Sequence, residues 1–208
     1  ILIGEAAAKS PDSAKNLVNA FLGANPDGYG KFWKKYAEKR EEIRKKFPGK
    51  PLVKICGITR EEDALLAAGL GADMLGFMFF NPSPRKTNEA DTRRIVKLLK
   101  DKFQEKAPLC IGVVADHGSA EEKAAIELAE EGILDAIQFH GVSIPAELEN
   151  ANFGYYAAVR LQSPAEVESL ISNSRHSLPR TLIDAYVPDV VGGTGKRIDE
   201  ALVDAVRS

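Results

Sequence analysis

Two cysteines, two methionines and one tryptophan are all that these 208 residues contain of those types. Two thiols, at positions 56 and 110, exclude a disulfide framework and point to reduced cysteines in a cytoplasm. No run of eighteen apolar residues exists to cross a bilayer, so no membrane is expected. Neither sign of charge dominates. The 28 basic and 30 acidic residues leave a net of −2, which gives no ground for binding nucleic acid or an anionic surface. The chain also lacks a G-x-G-x-x-G after its first strand, a Walker loop, and a second histidine or carboxylate at metal-ligand spacing around His140.

What is present is alternation. From Pro51 onward, apolar runs of four to seven residues trade places with amphipathic segments. Strands are expected at 52–55, 74–80, 109–114, 136–139, 155–161 and 181–184. The intervening helices include "REEDALLAAGL", "NEADTRRIVKLLKDKF", "SAEEKAAIELAEEG" and "KRIDEALVDAVR". Runs apolar on both faces, in strict β/α order, predict a parallel sheet. Thr59 before "REED" and Ser163-Pro164 read as helix starts. An open doubly wound sheet and a (β/α)8 barrel both fit the pattern. Polar residues at successive strand ends (Cys56, Arg85, Asp116, His140, Arg160, Asp184) favour the barrel, whose active sites occupy that face. With six strand–helix units, the barrel is read as incomplete.

Residues 1–50 differ in charge, with 11 basic and 6 acidic residues against 17 and 24 in the remainder. "ILIG" reads as a strand and "SPDSAKNLVNAFL" as a helix. After the turn-rich "GANPDGYG", "KFWKKYAEKREEIRKKF" carries Phe32, Tyr36, Ile43 and Phe47 at helical intervals, with Trp33 beside them. Its mixed charges suit a solvated face better than a nucleic-acid contact. The preferred reading is a linker helix docked by its aromatic side. Both ends of the chain look cut.

Several residues invite chemistry. Cys56 ends an apolar strand before Gly57; such a thiol is commonly a small buried hydrophobe, or else a thiolate favoured by a nearby cation or helix terminus. Cys110, early in its strand, reads as core. Asp184 closes "TLID" either as a structural carboxylate or as a general acid in semi-apolar surroundings. Arg85 in "NPSPRK" offers a planar fork to a carboxylate or phosphate, and His140 ends "QFH" as a core or site residue. "VVGGTGK" brings Gly192 and Gly193 before a helix, where backbone amides could meet an anion.

In order, "KICGIT", "GADMLGFMF" with "SPR", "IQFHG" and "LIDAYVPDVVGGTGK" resemble phosphoribosylanthranilate isomerase, over residues 51–208. The resemblance implies a (β/α)8 barrel and an Amadori rearrangement without metal or cofactor. Cys56 would be the general base and Asp184 the general acid. Arg85 would hold the anthranilate carboxylate, with His140, Gly192 and Gly193 lining the substrate pocket. Asp189 stands where the family commonly has glycine, which would stiffen or re-aim its loop. "ILIGEAAAKSPDSAKNLVNAF" resembles the final strand and helix of indole-3-glycerol-phosphate synthase, making Gly4 a remnant of that enzyme's phosphate site. The expected organisation is therefore 1–24 from a synthase barrel, 25–50 a linker, and 51–208 a truncated isomerase barrel, all from a bifunctional fusion. Rival readings are another phosphosugar barrel, such as an epimerase, and a non-catalytic scaffold.

Overall fold

The computed structural model describes residues 29–145, 147–148, 151–167, 181–186 and 197–207. The expectations for Gly4, the strand at 1–3 and the helix after it, Asp189, Gly192 and Gly193 lie outside the described residues.

The elements are helix α1 (Tyr29–Lys46), strand β1 (Lys54–Cys56), α2 (Glu61–Gly69), β2 (Met74–Phe79), α3 (Glu89–Phe103), β3 (Leu109–Val114), α4 (Ala120–Glu130), β4 (Ala136–His140), β5 (Gly154–Leu161), β6 (Leu182–Ala185) and α5 (Glu200–Arg207). A 3-10 turn, Gln104–Lys106, follows α3. The six strands among the described residues are parallel and lie side by side in chain order. That order decides between the two closures, because a doubly wound sheet reverses direction at a switch point. The architecture is an incomplete (β/α)8 barrel.

Local signals account for most helix starts. Asn88 accepts the Asp91 amide at the head of α3, and Ser119 accepts the Glu122 amide at the head of α4, each satisfying a donor the helix leaves open. Ser163 and Glu166 form a reciprocal pair: the Glu166 amide donates to Ser163 Oγ, and the Gln162 amide to the Glu166 carboxylate. Thr59 does not act as expected. The cap of α2 is Arg60, whose side chain makes no capping bond and instead pairs with Asp63. Three acidic residues in the first turn, Glu61, Glu62 and Asp63, complement the helix dipole there.

Strand alternation splits the sheet into two faces. Leu75, Phe77, Phe79, Cys110, Val114, Ile137 and Phe139 pack with Ile95, Leu99, Ala125 and Leu128 of the helices. On the other face Met74, Leu109, Ile111, Ala136, Tyr156 and Leu182 meet Phe32, Trp33 and Tyr36 of α1. Helix α1 thus closes the end of the barrel where the strands begin. Phe32 lies so close to Gly154 that a Cβ there would sit 2.5 Å from its ring. Lys35 pairs with Asp135 at 3.0 Å beside it. The docked side is shorter than the pattern predicted: Phe32 is buried, whereas Phe47 is exposed.

Among the described residues, β1 and β6 are the sheet's edges. Val53, just before β1, Ile55 of β1, Leu66 of α2 and Leu70, the cap that follows α2, are exposed. With Ile58 they line an open apolar groove of about 330 Å³. It faces away from Cys56, because neighbouring residues of a strand point to opposite sides.

Candidate active site

Of the polar residues expected at strand ends, Cys56, Arg85, His140, Arg160 and Asp184 gather at one end of the sheet, opposite α1, whereas Asp116 is exposed in the turn after β3. Cys56 is the last residue of β1 and His140 the last of β4. Asp184 and Arg160 are register partners near the ends of β6 and β5. Arg85 follows β2.

Cys56 is paired in register with Gly76. A Cβ at Gly76 would lie 2.5 Å from Cys56 Sγ. The thiol faces Met78, with 3.7 Å between the sulfurs. Gly76→Ala is expected to cost about 1–3 kcal/mol by overpacking, read as a lower denaturant midpoint. An unchanged midpoint would mean that the thiol swings aside freely.

Arg85 sits directly on this strand end. Its Nη1 donates to the Cys56 carbonyl at 3.0 Å. Gly57, at φ +92°, makes room, since a Cβ would lie 2.6 Å from Arg85 Cδ. The Ser83 hydroxyl accepts the Arg85 amide and fixes the turn that delivers the side chain.

His140 and Asp184 form a second cluster. His140 Nε2 lies 3.6 Å from Asp184 Oδ2, and the histidine side chain is 10% exposed. Burial pushes the imidazole below its ordinary range; the neighbouring Asp184 opposes this, while Arg160 and Lys54 reinforce it. Burial thus favours the neutral ring. Asp184 Oδ1 accepts the Ala185 amide at 2.8 Å, and the side chain is 33% exposed. Its surroundings are polar, not semi-apolar as expected.

Between the clusters runs a set of side chains not singled out from sequence. Lys54 donates to Gln138 Oε1, and at 3.3 Å to the Tyr156 hydroxyl. Tyr156 in turn donates to Gln138 Oε1 at 3.1 Å. Gln138 Nε2 is 3.4 Å from His140 Nδ1. Burial depresses the Lys54 ammonium, with Cys56 acting against it, and raises the Tyr156 phenol. The available signal was the period of two: Lys54 precedes Cys56 by two residues, and Gln138 precedes His140 by two. Cys110 belongs to the core as expected, and burial raises its thiol far beyond reactivity.

Comparison with known proteins bears on what this arrangement is. A family model described as N-(5′-phosphoribosyl)anthranilate (PRA) isomerase matches residues 53–208. The chain belongs to the phosphoribosylanthranilate isomerase family. An isomerase of that name from Pseudomonas putida is 37% identical over 153 residues, covering 73% of this chain and 69% of the relative. One from Azotobacter vinelandii is 37% identical over 150 residues, covering 72% and 68%. The crystal structure of the phosphoribosylanthranilate isomerase from Thermus thermophilus superposes with a TM-score of 0.59 at 30% identity, covering 76% of this chain and 72% of that one. The Thermotoga maritima isomerase gives 0.58 at 30% identity, covering 74% and 70%. A further isomerase structure, at TM-score 0.53 and 30% identity over 66% of each chain, holds reduced 1-(o-carboxyphenylamino)-1-deoxyribulose 5-phosphate. The isomerase match begins just ahead of β1, so α1 lies outside it.

Proposed function

We propose that this barrel carries out the isomerase reaction of tryptophan biosynthesis, converting N-(5′-phosphoribosyl)anthranilate into 1-(2-carboxyphenylamino)-1-deoxyribulose 5-phosphate. The observation that carries this reading is positional. Cys56 and Asp184 stand at the same end of one parallel sheet, with Arg85 seated on the Cys56 carbonyl and His140 beside Asp184.

In this reading Asp184 protonates the furanose ring oxygen and opens the sugar to a Schiff base. Cys56, as thiolate, removes the proton from C2′. The resulting enolamine tautomerises to the ketone. One group must begin protonated and the other ionised, which suits two carriers in different clusters. Arg85 offers its fork to the anthranilate carboxylate. Gly192 and Gly193 retain a proposed substrate-binding role. The family match favours this reading over another phosphosugar barrel or a non-catalytic scaffold.

The segment ahead of the match is proposed to end a fused indole-3-glycerol-phosphate synthase, with Gly4 from its phosphate site. The resemblance of residues 1–21 supports this, and the docking of α1 supports a connecting helix. Two unpaired cysteines suit a reducing cytoplasm.

The test follows the loss of phosphoribosylanthranilate fluorescence. It compares this chain with a version extended by the two strand–helix units that complete eight. Cys56→Ser is expected to lower the rate of the active version by at least about a hundredfold, the scale of lost acid–base catalysis. Extended, folded protein without activity overturns the proposal.

A further inference from the structure

The polar set inside the barrel has a directionality that its chemistry imposes. The Lys54 ammonium carries N–H donors and no acceptor. Lys54 and the Tyr156 hydroxyl both meet the same atom of the Gln138 side chain, so that atom is the amide oxygen. The amide nitrogen then faces His140 Nδ1, at 3.4 Å. An amide nitrogen can only donate, which leaves Nδ1 as the acceptor and puts the ring proton on Nε2. Among the described residues Nε2 is buried without a hydrogen-bond partner inside ordinary range, and the Asp184 carboxylate oxygen 3.6 Å away is what it faces. Asp184 Oδ1 is already engaged by the Ala185 amide, so Oδ2 is the oxygen left to work.

We propose that Gln138 is a positioning residue: clamped by Lys54 and Tyr156, it holds His140 as the Nε2–H tautomer and aims that proton at Asp184 Oδ2. The catalytic consequence rests on the isomerase reading. As Asp184 gives up its proton, negative charge develops on Oδ2, and a donor fixed beforehand stabilises it without reorganising. The clamp also joins the two ends of the site, since Lys54 lies on β1 two residues from Cys56 and Asp184 lies on β6. The anchoring resembles the way a fixed partner selects the tautomer of a metal-bound or triad histidine, where loss of the partner commonly costs tenfold or more.

Gln138→Glu gives the sharpest test. A carboxylate can only accept, so it keeps the bonds from Lys54 and Tyr156 but requires a proton on Nδ1. The ring should therefore invert. A ¹⁵N-labelled chain in a His117→Gln/His176→Gln background leaves His140 as the sole imidazole. Long-range ¹H–¹⁵N correlation at pH 8 is expected to show Nε2–H in that parent and Nδ1–H after Gln138→Glu. Should the glutamate variant fail to fold, Gln138→Met is expected to give a tautomer mixture. Nδ1–H in the parent, or an unchanged Nε2–H pattern in a folded variant, overturns the assignment. Neither measurement needs turnover, so the outcome is separable from the isomerase proposal. In an active version, Gln138→Glu is expected to lower kcat roughly tenfold with KM within about twofold. An unchanged kcat overturns the catalytic half.

Discussion

Asp184→Asn is expected to lower isomerase turnover by about 10³-fold, inside the ~10²–10⁴ that a positioned general acid contributes. The fold should barely register the change. Asp184 lies in β6, whose backbone is paired with β5, and its side chain is 33% exposed. The amide oxygen of asparagine can still accept the Ala185 N–H that Oδ1 accepts now. What disappears is the group able to transfer a proton in the proposed reaction, and the oxygen opposite His140 Nε2. The amide nitrogen put in its place is a second donor facing the first across 3.6 Å. The lost interaction belongs to the transition state, so kcat and kcat/KM should fall together while KM moves little. The comparison is made in a version that turns over the substrate, with thermal unfolding as the control. Retention of more than about a tenth of the turnover, against the range expected for an acid, would take Asp184 out of that role.

How much of this was legible beforehand depends on the range over which each feature is determined. The six strands emerged from local runs, and their observed limits lie within two residues of the expected ones. Parallel strands covered on both faces need apolar residues throughout, and that need is written in consecutive positions. Cys56, Arg85, His140 and Asp184 were visible because each breaks or follows an apolar run at the end where barrels place their chemistry. Gln138 was not, although it also interrupts such a run. Its partner Lys54 is 84 positions away, and no local pattern says which polar residues will meet inside a barrel. Thr59 was misread for a related reason. A capping residue one step before the helix looks the same in sequence as one in place, and the acidic first turn of α2 reduces the need for either. The polar setting of Asp184 likewise depends on a histidine from β4; three preceding apolar residues suggested the opposite.

The floor of the barrel makes the other large claim. Phe32→Ala is expected to destabilise the protein by roughly 3–5 kcal/mol, the cost of emptying a buried aromatic site, read as a fall in denaturant midpoint at unchanged slope. Phe32 is 3% exposed. Its ring is stacked on Tyr156 at 6.3 Å and 10°, and meets Trp33 edge-on at 4.8 Å. Gly154 is the complementary surface. Adding a methyl group there would place a carbon 2.5 Å from the Phe32 ring, so Gly154→Ala alone should cost about 1–3 kcal/mol by overpacking. The two changes should partly cancel when combined, because the alanine methyl enters space that the smaller residue 32 has vacated. A coupling of at least about 1 kcal/mol is expected for residues in such contact. Strictly additive effects would show that the helix does not pack on β5 as described. Coupling would place α1, which precedes the family match at residue 53, inside the same cooperative unit as the barrel. It would also bring α1 to the edge of the site's chemistry. Tyr156 carries Phe32 and Trp33 against its ring and the Gln138 amide oxygen on its hydroxyl, so a shift of α1 reaches the residue that orients His140 through a single side chain.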